Sequence, residues 1–385
     1  MRRRRICVVI GSRANYGSIR SAMRSILDHP DLELQVIAGA SALLDRYGAV
    51  VDLIEQDGFP VDARVHMLIE GETPATMAKS TGLGLLELPT LFEQLCPDLV
   101  LTVGDRFETM ATAIAAAYMN ITLAHTMGGE VSGTIDESIR HAVTKFAHIH
   151  FPASAQARDR IIRLGEPPKY VHLVGCPRID LVAELLAQKN DALNNHLFEQ
   201  GVGNAIDLDQ PFVLVSQHPV TTEYGEGEAQ IFVTLQAIRE LDLPAVVLWP
   251  NADAGADDIA RGMRKWREQR LDTNMCFFKN LPVETYVALM WRTACLVGNS
   301  SSGVREGAFI GTPTVNIGSR QNSRERGRNI IDVGYDRGEI GAAIKRQLDH
   351  GRYPSSTIYG DGQAGARIAG ILAEVDVKIQ KTITY

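Results

Sequence analysis

The chain has 385 residues, of which 45% are hydrophobic and 22% charged, a composition typical of a globular protein and a length that favours two domains over one core. The formal net charge of −7 argues against an overall basic surface of the kind that binds nucleic acid. The five cysteines stand singly, which argues against a disulfide framework or a Cys-x-x-Cys metal site. No apolar stretch approaches the roughly 20 residues of a membrane helix, so we expect a cytosolic protein.

Short β-branched segments alternate with longer amphipathic ones, as in parallel strands joined by helices. The predicted strands of the first half are 6–10, 34–37, 99–103, 122–125, 149–151 and 171–174. The predicted helices between them are 18–27, 108–118, 136–146 and 155–164. Strands are predicted again at 212–216, 245–249, 275–278 and 296–298, after a polar segment rich in Gln and Asn.

This interruption of the alternation predicts a domain boundary near residues 185–210. We expect a Rossmann-like N-terminal domain over 1–187, completed by a C-terminal helix at 362–377, and a Rossmann-like nucleotide-binding domain over 188–361. Helical periodicity at 363–375 supports the last helix.

Two loops of the first half follow predicted strands, where a doubly wound sheet presents its ligands. Residues 11–17 read Gly-Ser-Arg-Ala-Asn-Tyr-Gly, so Arg13 is suited to a phosphate or a uracil edge. A tight turn with a solvent-facing arginine is an equal alternative. Gly104, Asp105 and Arg106 end the strand 99–103, and there Asp105 is either a site residue or a helix cap with a surface partner.

The segment 125–141 has the highest density of ionisable groups. It runs from His125 through two glycines and Glu130 to Asp136 and Glu137. Helical spacing places Asp136 on one face with Arg140, and Glu137 on one face with His141, as in ordinary surface pairs. Glycines that expose the backbone beside several carboxylates favour instead a site where a carbon-bound proton is removed and replaced.

In the second half, the loop 216–222 follows a strand and could direct His218 at a diphosphate, although a lone histidine is more often structural than catalytic. Residues 299–306 place Ser300 and Ser301 at the start of a predicted helix, which predicts an anion site or a simple cap. Glu306, about one turn later, could accept two ribose hydroxyl bonds.

Taken together, these motifs resemble the UDP-N-acetylglucosamine 2-epimerase family, and specifically its hydrolysing branch. The resemblance covers nearly the whole chain through Gly-Ser-Arg-Ala-Asn-Tyr at 11–16, Gly-Asp-Arg-Phe-Glu at 104–108, Gly-Gly-Glu-Val-Ser-Gly-Thr-Ile-Asp at 128–136, Ser-Ile-Arg-His at 138–141, His-Pro-Val-Thr-Thr at 218–222, Pro-Asn-Ala-Asp-Ala-Gly at 250–255, Gly-Asn-Ser-Ser at 298–301 and Gly-Val-Arg-Glu at 303–306. It implies a GT-B-like α/β fold of two Rossmann-type domains with the active site in the interdomain cleft.

The resemblance also implies a reaction. UDP is eliminated across C1 and C2 of UDP-N-acetylglucosamine to a glycal, and hydration of the glycal gives free N-acetylmannosamine, as in bacterial sialic or nonulosonic acid biosynthesis. No metal or redox cofactor is implied. The expected partners are the UDP-sugar, the UDP product and further copies of the chain in a homodimer or homotetramer, with no nucleic acid and no membrane.

Residue roles follow from the same resemblance. The implied nucleotide- and substrate-binding residues are Arg13, Arg106, His125, Asn251, Ser300, Ser301, Gly303, Glu306 and Arg320. The implied catalytic residues are Asp105, Glu130, Asp136, Glu137 and His218, with His218 also at the nucleotide; which carboxylate removes the C2 proton stays open.

Two departures from the family pattern concern the sugar. Where relatives commonly carry His-Ile-Glu-Gly-Gly, this chain has His-Thr-Met-Gly-Gly, so Met127 replaces a carboxylate; Asn15 stands where the family usually has aspartate. Either that carboxylate is dispensable, or a neighbour such as Glu130 substitutes for it, or the pocket takes a less polar sugar. UDP-2,4-diacetamido-2,4,6-trideoxyglucose therefore ranks close behind UDP-N-acetylglucosamine, and a GDP-linked sugar ranks lower.

Three other functions fit the same architecture: a non-hydrolysing epimerase, a glycosyltransferase and a nucleotide-sugar sensor. The carboxylates of 128–137 argue against a transferase, which would leave C2 untouched. Residues 261–264 resemble a feedback-nucleotide region of the animal enzyme, although two arginines at helical spacing also fit a solvated face.

Overall fold

The computed structural model describes residues 2–71, 73–132, 135–188, 193, 195–250, 255–271, 274–279, 281–376 and 378–384. The chain forms two compact units. Unit 1 comprises Met1–Val131, Ile135–Ala183 and Tyr359–Tyr385, and unit 2 comprises Ser132–Thr134 and Glu184–Ile358.

Unit 1 contains a six-stranded sheet. Its strands are β1 (Arg4–Ile10), β2 (Leu32–Gly39), β3 (Ala63–Val65), β4 (Leu99–Val103), β5 (Thr122–Thr126) and β6 (Ile149–Phe151). They lie in the order β3-β2-β1-β4-β5-β6, and every pair is parallel. Most of their side chains are buried, as expected when helices cover both faces of a parallel sheet.

Unit 2 repeats this arrangement with one added edge strand. Its strands are β7 (Val202–Gly203), β8 (Val213–Ser216), β9 (Ala245–Leu248), β10 (Met275–Phe278), β11 (Cys295–Gly298), β12 (Thr314–Ile317) and β13 (Ile330–Val333). The order is β13-β12-β11-β8-β9-β10-β7, with β7 antiparallel to β10 and the other pairs parallel. Without β7, both sheets have the dinucleotide-fold order in which the first and fourth strands are neighbours.

Helices connect these strands. In chain order they are α1 (Arg13–Gly17), α2 (Arg20–Asp28), α3 (Val50–Gln56), α4 (Pro74–Leu95), α5 (Phe107–Tyr118), α6 (Asp136–Phe146), α7 (Ala155–Arg163), α8 (Pro177–Ala187), α9 (Gly227–Glu240), α10 (Ala256–Glu268), α11 (Val283–Arg292), α12 (Ser301–Val304), α13 (Glu306–Ile310), α14 (Arg337–His350) and α15 (Ala364–Glu374). Short 3-10 helices span Ala40–Leu43, Asp45–Tyr47, Pro168–Tyr170, Asn195–Gln200 and Thr221–Glu223. Among the described residues, no helix is long and apolar enough to cross a membrane.

The last helix, α15, packs within unit 1 against α2. Its first turn is held by Asp180, whose carboxylate accepts hydrogen bonds from the backbone N–H groups of Ala364 and Gly365 at 3.0 and 2.7 Å. Its far end is held by Arg4, which donates to the carbonyls of Leu372 and Val375 at 2.7 and 2.8 Å. An arginine of the N-terminal basic run thus has a structural role.

The segment after α15 also docks on unit 1, around the buried carboxylate of Glu166. Burial alone would raise the pKa of Glu166, but hydrogen bonds from His150, Lys145 and Lys381 lower it to about 2. Lys381 lies 2.8 Å from this carboxylate, and the ring Nε2 of His148 lies 2.8 Å from the carbonyl of Ile379.

The prediction of two α/β units with parallel sheets is confirmed, but some predicted elements are wrong. Residues 171–174 form no strand and make only one bridge, between Val171 and His150. The 3-10 turn Pro168–Tyr170 precedes them, and the left-handed Gly175 (φ +92°) follows, which leaves no room for a longer ladder. Residues 13–17, predicted as part of a turn, form α1. Strands β3, β7, β12 and β13 were not predicted.

Candidate functional site

The predicted site residues lie at comparable places in the two units. In a doubly wound sheet the connections leave the first and fourth strands in opposite directions, which opens a crevice at their carboxyl ends. In unit 1 this switch point lies between β1 and β4, which are followed by Arg13 and Asp105. In unit 2 it lies between β8 and β11, which are followed by His218 and Ser300. The sequence therefore predicted side chains that the fold places at two switch points.

Asp105 is held by a buried cation and is not a helix cap. Arg106 occupies the N-cap of α5, whereas the Asp105 carboxylate accepts a hydrogen bond from the guanidinium of Arg140. The same guanidinium donates to the backbone carbonyl of Glu130 at 2.9 Å. The Arg140 side chain is 2% exposed and that of Asp105 is 23% exposed. Arg140 thus ties the loop after β4 to the glycine-rich loop after β5.

Sequence reasoning did not identify Arg140 as a site residue. It placed Arg140 on a helix face with Asp136, and spacing along one helix carries no information about Asp105, which lies 35 positions away. The predicted pair of Glu137 with His141 is present, with 3.4 Å between Oε1 and Nε2. Asp136 and Glu137 are half-buried in the first turn of α6, where carboxylates also interact favourably with the helix dipole.

Glu108 is a second site residue that the sequence did not reveal. Its Oε1 accepts a hydrogen bond from Nε of Arg106 at 3.0 Å, and the side chain is 3% exposed. A Cβ at Gly11 would lie 2.2 Å from Cγ of Glu108, so the absence of a side chain at Gly11 makes room for the carboxylate. Its Oε2 is buried and has no hydrogen-bond partner among the described residues. The motif at 104–108 contained this glutamate, but nothing in its spacing indicated burial.

His125 lies under the loop that carries Asp105. Its ring Nε2 is 2.7 Å from the carbonyl of Gly104, and because a carbonyl only accepts, Nε2 carries the proton. Complete burial lowers the pKa of His125 to about 4, although the bond to Gly104 acts in the opposite direction. The ring is therefore neutral at neutral pH and anchors the turn at Gly104.

Met127 and Glu130 lie in the glycine-rich loop that leaves β5. Met127 is 7% exposed and adopts a left-handed backbone (φ +63°), which is uncommon for a residue with a side chain. Gly129 (φ +73°) approaches α7 so closely that a Cβ there would lie 2.2 Å from the carbonyl of Ala157. Glu130 is 3% exposed. The loop is therefore fixed by close packing and carries a buried thioether at Met127.

The loop after β1 is ordered by its own polar side chains. Ser12 caps α1 by accepting from the backbone N–H of Asn15 at 3.2 Å, and the Asn15 side-chain carbonyl accepts from the N–H of Gly11 at 3.2 Å. Arg13 is the first residue of α1 and is half-buried.

At the switch point of unit 2, the loop that carries His218 is bonded to the end of β11. The side-chain amide of Asn299 accepts from the backbone N–H of His218 at 2.7 Å and donates to its carbonyl at 2.9 Å. His218 is 6% exposed, and its Nε2 lies 3.4 Å from Oγ of Ser216.

The serines after β11 begin a helix of only four residues, α12. Ser300 is its N-cap and accepts from the backbone N–H of Ser302 at 3.3 Å, so part of the predicted anion site serves as a cap. Gly303 has a packing role, because a Cβ there would lie 2.7 Å from Cγ2 of Thr314. Glu306 begins α13 and is 5% exposed, and Ser301 is half-buried.

Arg320 joins this cluster from the loop after β12. Its guanidinium donates to the carbonyl of Asn299 at 3.3 Å, and Gln321 donates to the same carbonyl at 2.8 Å. Asn251, predicted to bind the nucleotide, lies outside the described residues. Within the described part of the chain, no group of three or more His, Cys, Asp or Glu side chains is placed to hold a metal ion.

Comparison with known proteins places this architecture in a family. The family model described as UDP-N-acetylglucosamine 2-epimerase matches residues 24–373. The chain is 32% identical over 98% of its length to a hydrolysing UDP-N,N'-diacetylbacillosamine 2-epimerase of Legionella pneumophila, covering 97% of that protein. It is 31% identical over 86% of its length to a GDP/UDP-N,N'-diacetylbacillosamine 2-epimerase of Campylobacter jejuni, covering 85% of it.

A similar fold is found in the UDP-GlcNAc 2-epimerase of Neisseria meningitidis, solved bound to UDP-GlcNAc, with a TM-score of 0.80 and 16% identity over 96% of this chain and 99% of that one. The resemblance to this family that was drawn from the motifs is therefore confirmed. The chain belongs to the UDP-N-acetylglucosamine 2-epimerase family, whose members act on nucleotide sugars.

Proposed function

We propose that the protein is a hydrolysing 2-epimerase that converts a UDP-linked 2-acetamido sugar and water into UDP and the free 2-epimeric sugar. The observation that carries the proposal is the set of carboxylates that follow β4 and β5, two loops that Arg140 ties together through its bonds to Asp105 and to the Glu130 carbonyl. Asp136 and Glu137 follow in the half-buried first turn of α6. A glycosyltransferase, which does not break a C–H bond at C2, has no need of such a set.

The proposed chemistry separates proton transfer from nucleotide binding. One carboxylate of unit 1 removes the C2 proton while the bond from C1 to the UDP oxygen breaks, and water then adds across the resulting double bond with inversion at C2. Asp105, Glu130, Asp136 and Glu137 are the candidate acids and bases. The Asp105 carboxylate is oriented by a guanidinium that is itself buried, so it is held in place before substrate arrives.

The remaining groups would bind the nucleotide and stabilise the departing diphosphate. In unit 1 these are Arg13 and Arg106, and the Nε bond to Glu108 fixes the plane of the Arg106 guanidinium. In unit 2 these are His218, Ser300, Ser301, Glu306 and Arg320. The reaction as proposed needs neither a metal ion nor a redox cofactor.

Met127 favours a 2,4-diacetamido-2,4,6-trideoxy sugar over N-acetylglucosamine. A buried thioether offers dispersion contacts but neither a proton nor a hydrogen-bond acceptor of carboxylate strength, and it suits a sugar without the C6 hydroxyl. The Legionella and Campylobacter relatives carry names with such a diacetamido sugar. We therefore place UDP-2,4-diacetamido-2,4,6-trideoxyglucose first and UDP-N-acetylglucosamine second.

Proton NMR in deuterated water tests the reaction. The purified protein is incubated separately with the two UDP-sugars. Free 2-epimeric sugar carrying deuterium at C2, together with UDP, is the expected result, faster for the diacetamido sugar. A UDP-linked epimer would mean the non-hydrolysing reaction, and turnover of neither sugar would overturn the proposal.

The role of Met127 is tested by Met127→Glu and by its neutral isostere Met127→Gln. The glutamate variant should shift the kcat/KM ratio toward UDP-N-acetylglucosamine by about tenfold, because one hydrogen bond to a hydroxyl contributes about 1–2 kcal/mol. Met127→Gln separates the effect of charge from that of side-chain shape. An unchanged ratio in both variants would show that Met127 does not select the sugar.

Three further expectations accompany the proposal. The free sugar would feed the biosynthesis of a nonulosonic acid, the enzyme would act in the cytosol, and it would form a homodimer or homotetramer. Sedimentation velocity with and without UDP measures the last of these directly.

A further inference from the structure

We propose that Asn299 is a positioning residue that holds the nucleotide-binding loops of unit 2 in one arrangement. The inference rests on the proposed function, because it takes His218 and Arg320 as groups that face the diphosphate. Asn299 is fully buried and follows directly after β11. It carries no charge and cannot transfer a proton, so its role is exercised through its neighbours.

The side chain of Asn299 bonds to the backbone of His218 at both ends. Its Oδ1 accepts from the His218 N–H at 2.7 Å, and its Nδ2 donates to the His218 carbonyl at 2.9 Å. Two bonds to one residue fix the position and the direction of the loop after β8. The direction in which the imidazole leaves the backbone is fixed with it.

The backbone of Asn299 bonds to two further segments. Its N–H donates to the carbonyl of Ser216 at 3.1 Å. Its carbonyl accepts from Nε2 of Gln321 at 2.8 Å and from the guanidinium of Arg320 at 3.3 Å. One residue thus connects the loops after β8, β11 and β12, and each of these loops contributes a proposed nucleotide-binding group.

Gly298 makes this geometry possible. Its backbone is left-handed (φ +134°), and a Cβ there would lie 2.2 Å from the carbonyl oxygen of Ser216. The end of β11 therefore lies against β8 more closely than any residue with a side chain would allow. This close approach brings Asn299 within reach of the His218 backbone.

Only an amide of this length satisfies both His218 groups. Aspartate would keep the acceptor but would place an oxygen against the His218 carbonyl, and serine would be too short to reach both atoms. If the loop after β8 were less firmly held, the groups that bind the diphosphate would no longer be prearranged. Contacts to the uridine that do not involve these loops would persist.

The test compares Asn299→Asp with a matched control, Gln347→Met. Gln347 is another fully buried amide of unit 2, but it bonds to the carbonyls of Thr314 and Asn329 at 2.7 and 2.9 Å. Thr314 is the first residue of β12, so this bond lies at the amino end of the strand, whereas the loops that Asn299 connects follow the carboxyl ends. Calorimetry with UDP and with uridine is run on both variants and on the native protein. Asn299→Ser repeats the test if the aspartate variant does not fold.

Both variants should have a lower Tm, but only the Asn299 variant should bind UDP more weakly, by about tenfold or more, with uridine affinity changed less than threefold. Native-like UDP affinity in folded Asn299→Asp, or an equal loss in Gln347→Met, would overturn the inference. Hydrogen exchange of residues 216–219 and 319–322 separates this outcome from failure of the proposed function. If the native protein binds no UDP, the proposed function is wrong. Faster exchange of both segments in Asn299→Asp than in Gln347→Met would still support the positioning role of Asn299, whereas equal exchange in the two variants would refute it.

Discussion

The two switch points have the same strand order but are held together by different chemistry. In unit 1 the buried guanidinium of Arg140 ties the loop after β4 to the loop after β5 through its ion pair with Asp105, and Glu108 pairs with Arg106 at the start of α5. In unit 2 the loops are joined by the neutral amide of Asn299. A common topology therefore does not determine how a site is stabilised.

The difference fits the proposed roles of the two units, in which unit 1 supplies the carboxylates that transfer a proton and unit 2 supplies groups that bind the diphosphate. Desolvating an ion pair costs free energy, and removing one partner leaves an uncompensated charge. The two partners therefore hold each other in one geometry, which suits a carboxylate proposed to act on a proton. A neutral network has no charge of its own to compensate, so it can hold cationic and hydroxyl groups ready for a diphosphate that arrives and leaves. Unit 1 should therefore be sensitive to charge and pH, and unit 2 to shape.

The largest effect is expected from Arg140→Met. This change leaves the Asp105 carboxylate partly buried without its cation, and we expect the free energy of unfolding to fall by about 3–5 kcal/mol. Urea unfolding followed by circular dichroism measures the loss. Adding Asp105→Asn to the same variant should recover part of it, whereas a loss below about 1 kcal/mol would show that solvent already compensates the charge.

The next largest effects are expected from glycine substitutions, one at each switch point. Gly298→Ala meets the backbone of Ser216 in a left-handed conformation, and Gly11→Ala meets the side chain of Glu108. Each should lower the free energy of unfolding by about 1–3 kcal/mol. Glu108→Ala should relieve part of the cost of Gly11→Ala, because it removes the contacts with Cγ and Cδ at 2.2 and 2.8 Å but keeps the contact with Cβ at 2.9 Å. If Gly11→Ala is as destabilising with Glu108→Ala as without it, the contact is not the cause.

Acid should weaken unit 1 through its buried histidines. Burial lowers the pKa of His125 to about 4, so the unfolded chain binds this proton first, and stability present above pH 6.5 is lost as the pH falls toward 4. The slope reaches about 1.4 kcal/mol per pH unit for this proton. The lowered pKa values of His148 and His150, again caused first by burial, act in the same direction.

Hydrogen exchange at pH 7 and pH 5 measures this effect by segment. Protection corrected for the intrinsic exchange rate should fall in β5 and β6, which carry His125 and His150. His125→Gln should reduce the loss, because glutamine takes up no proton. Unchanged protection of both strands at pH 5 would contradict the prediction.

The smallest effect is expected from Glu108→Gln, which keeps the shape of the side chain but removes the charge that orients Arg106. We expect kcat/KM to fall by about tenfold, less than the roughly hundredfold that a 1 Å misplacement can cost. Glu55→Gln is the matched control, because Glu55 pairs with Arg64 on the surface, where the two side chains are 48% and 46% exposed. Equal losses in the two variants would rule out a specific role for Glu108.

The sequence by itself determined the fold class and the family. Alternating apolar segments predicted parallel α/β units, because the period of burial along a strand or helix is a local property of the chain. The motifs at strand ends, such as 104–108 and 298–301, predicted which loops carry polar groups. These features depend on near neighbours in sequence, so they can be read without coordinates.

Only the tertiary structure decided which of those polar groups meet. Helical spacing offered Arg140 a partner in Asp136, but the fold turns its guanidinium to Asp105. Asn299 bonds to His218 across 81 positions of sequence. Such pairs depend on strand register, on the direction of each side chain and on close approaches that only a glycine permits, and these quantities are fixed by the packing of the whole unit.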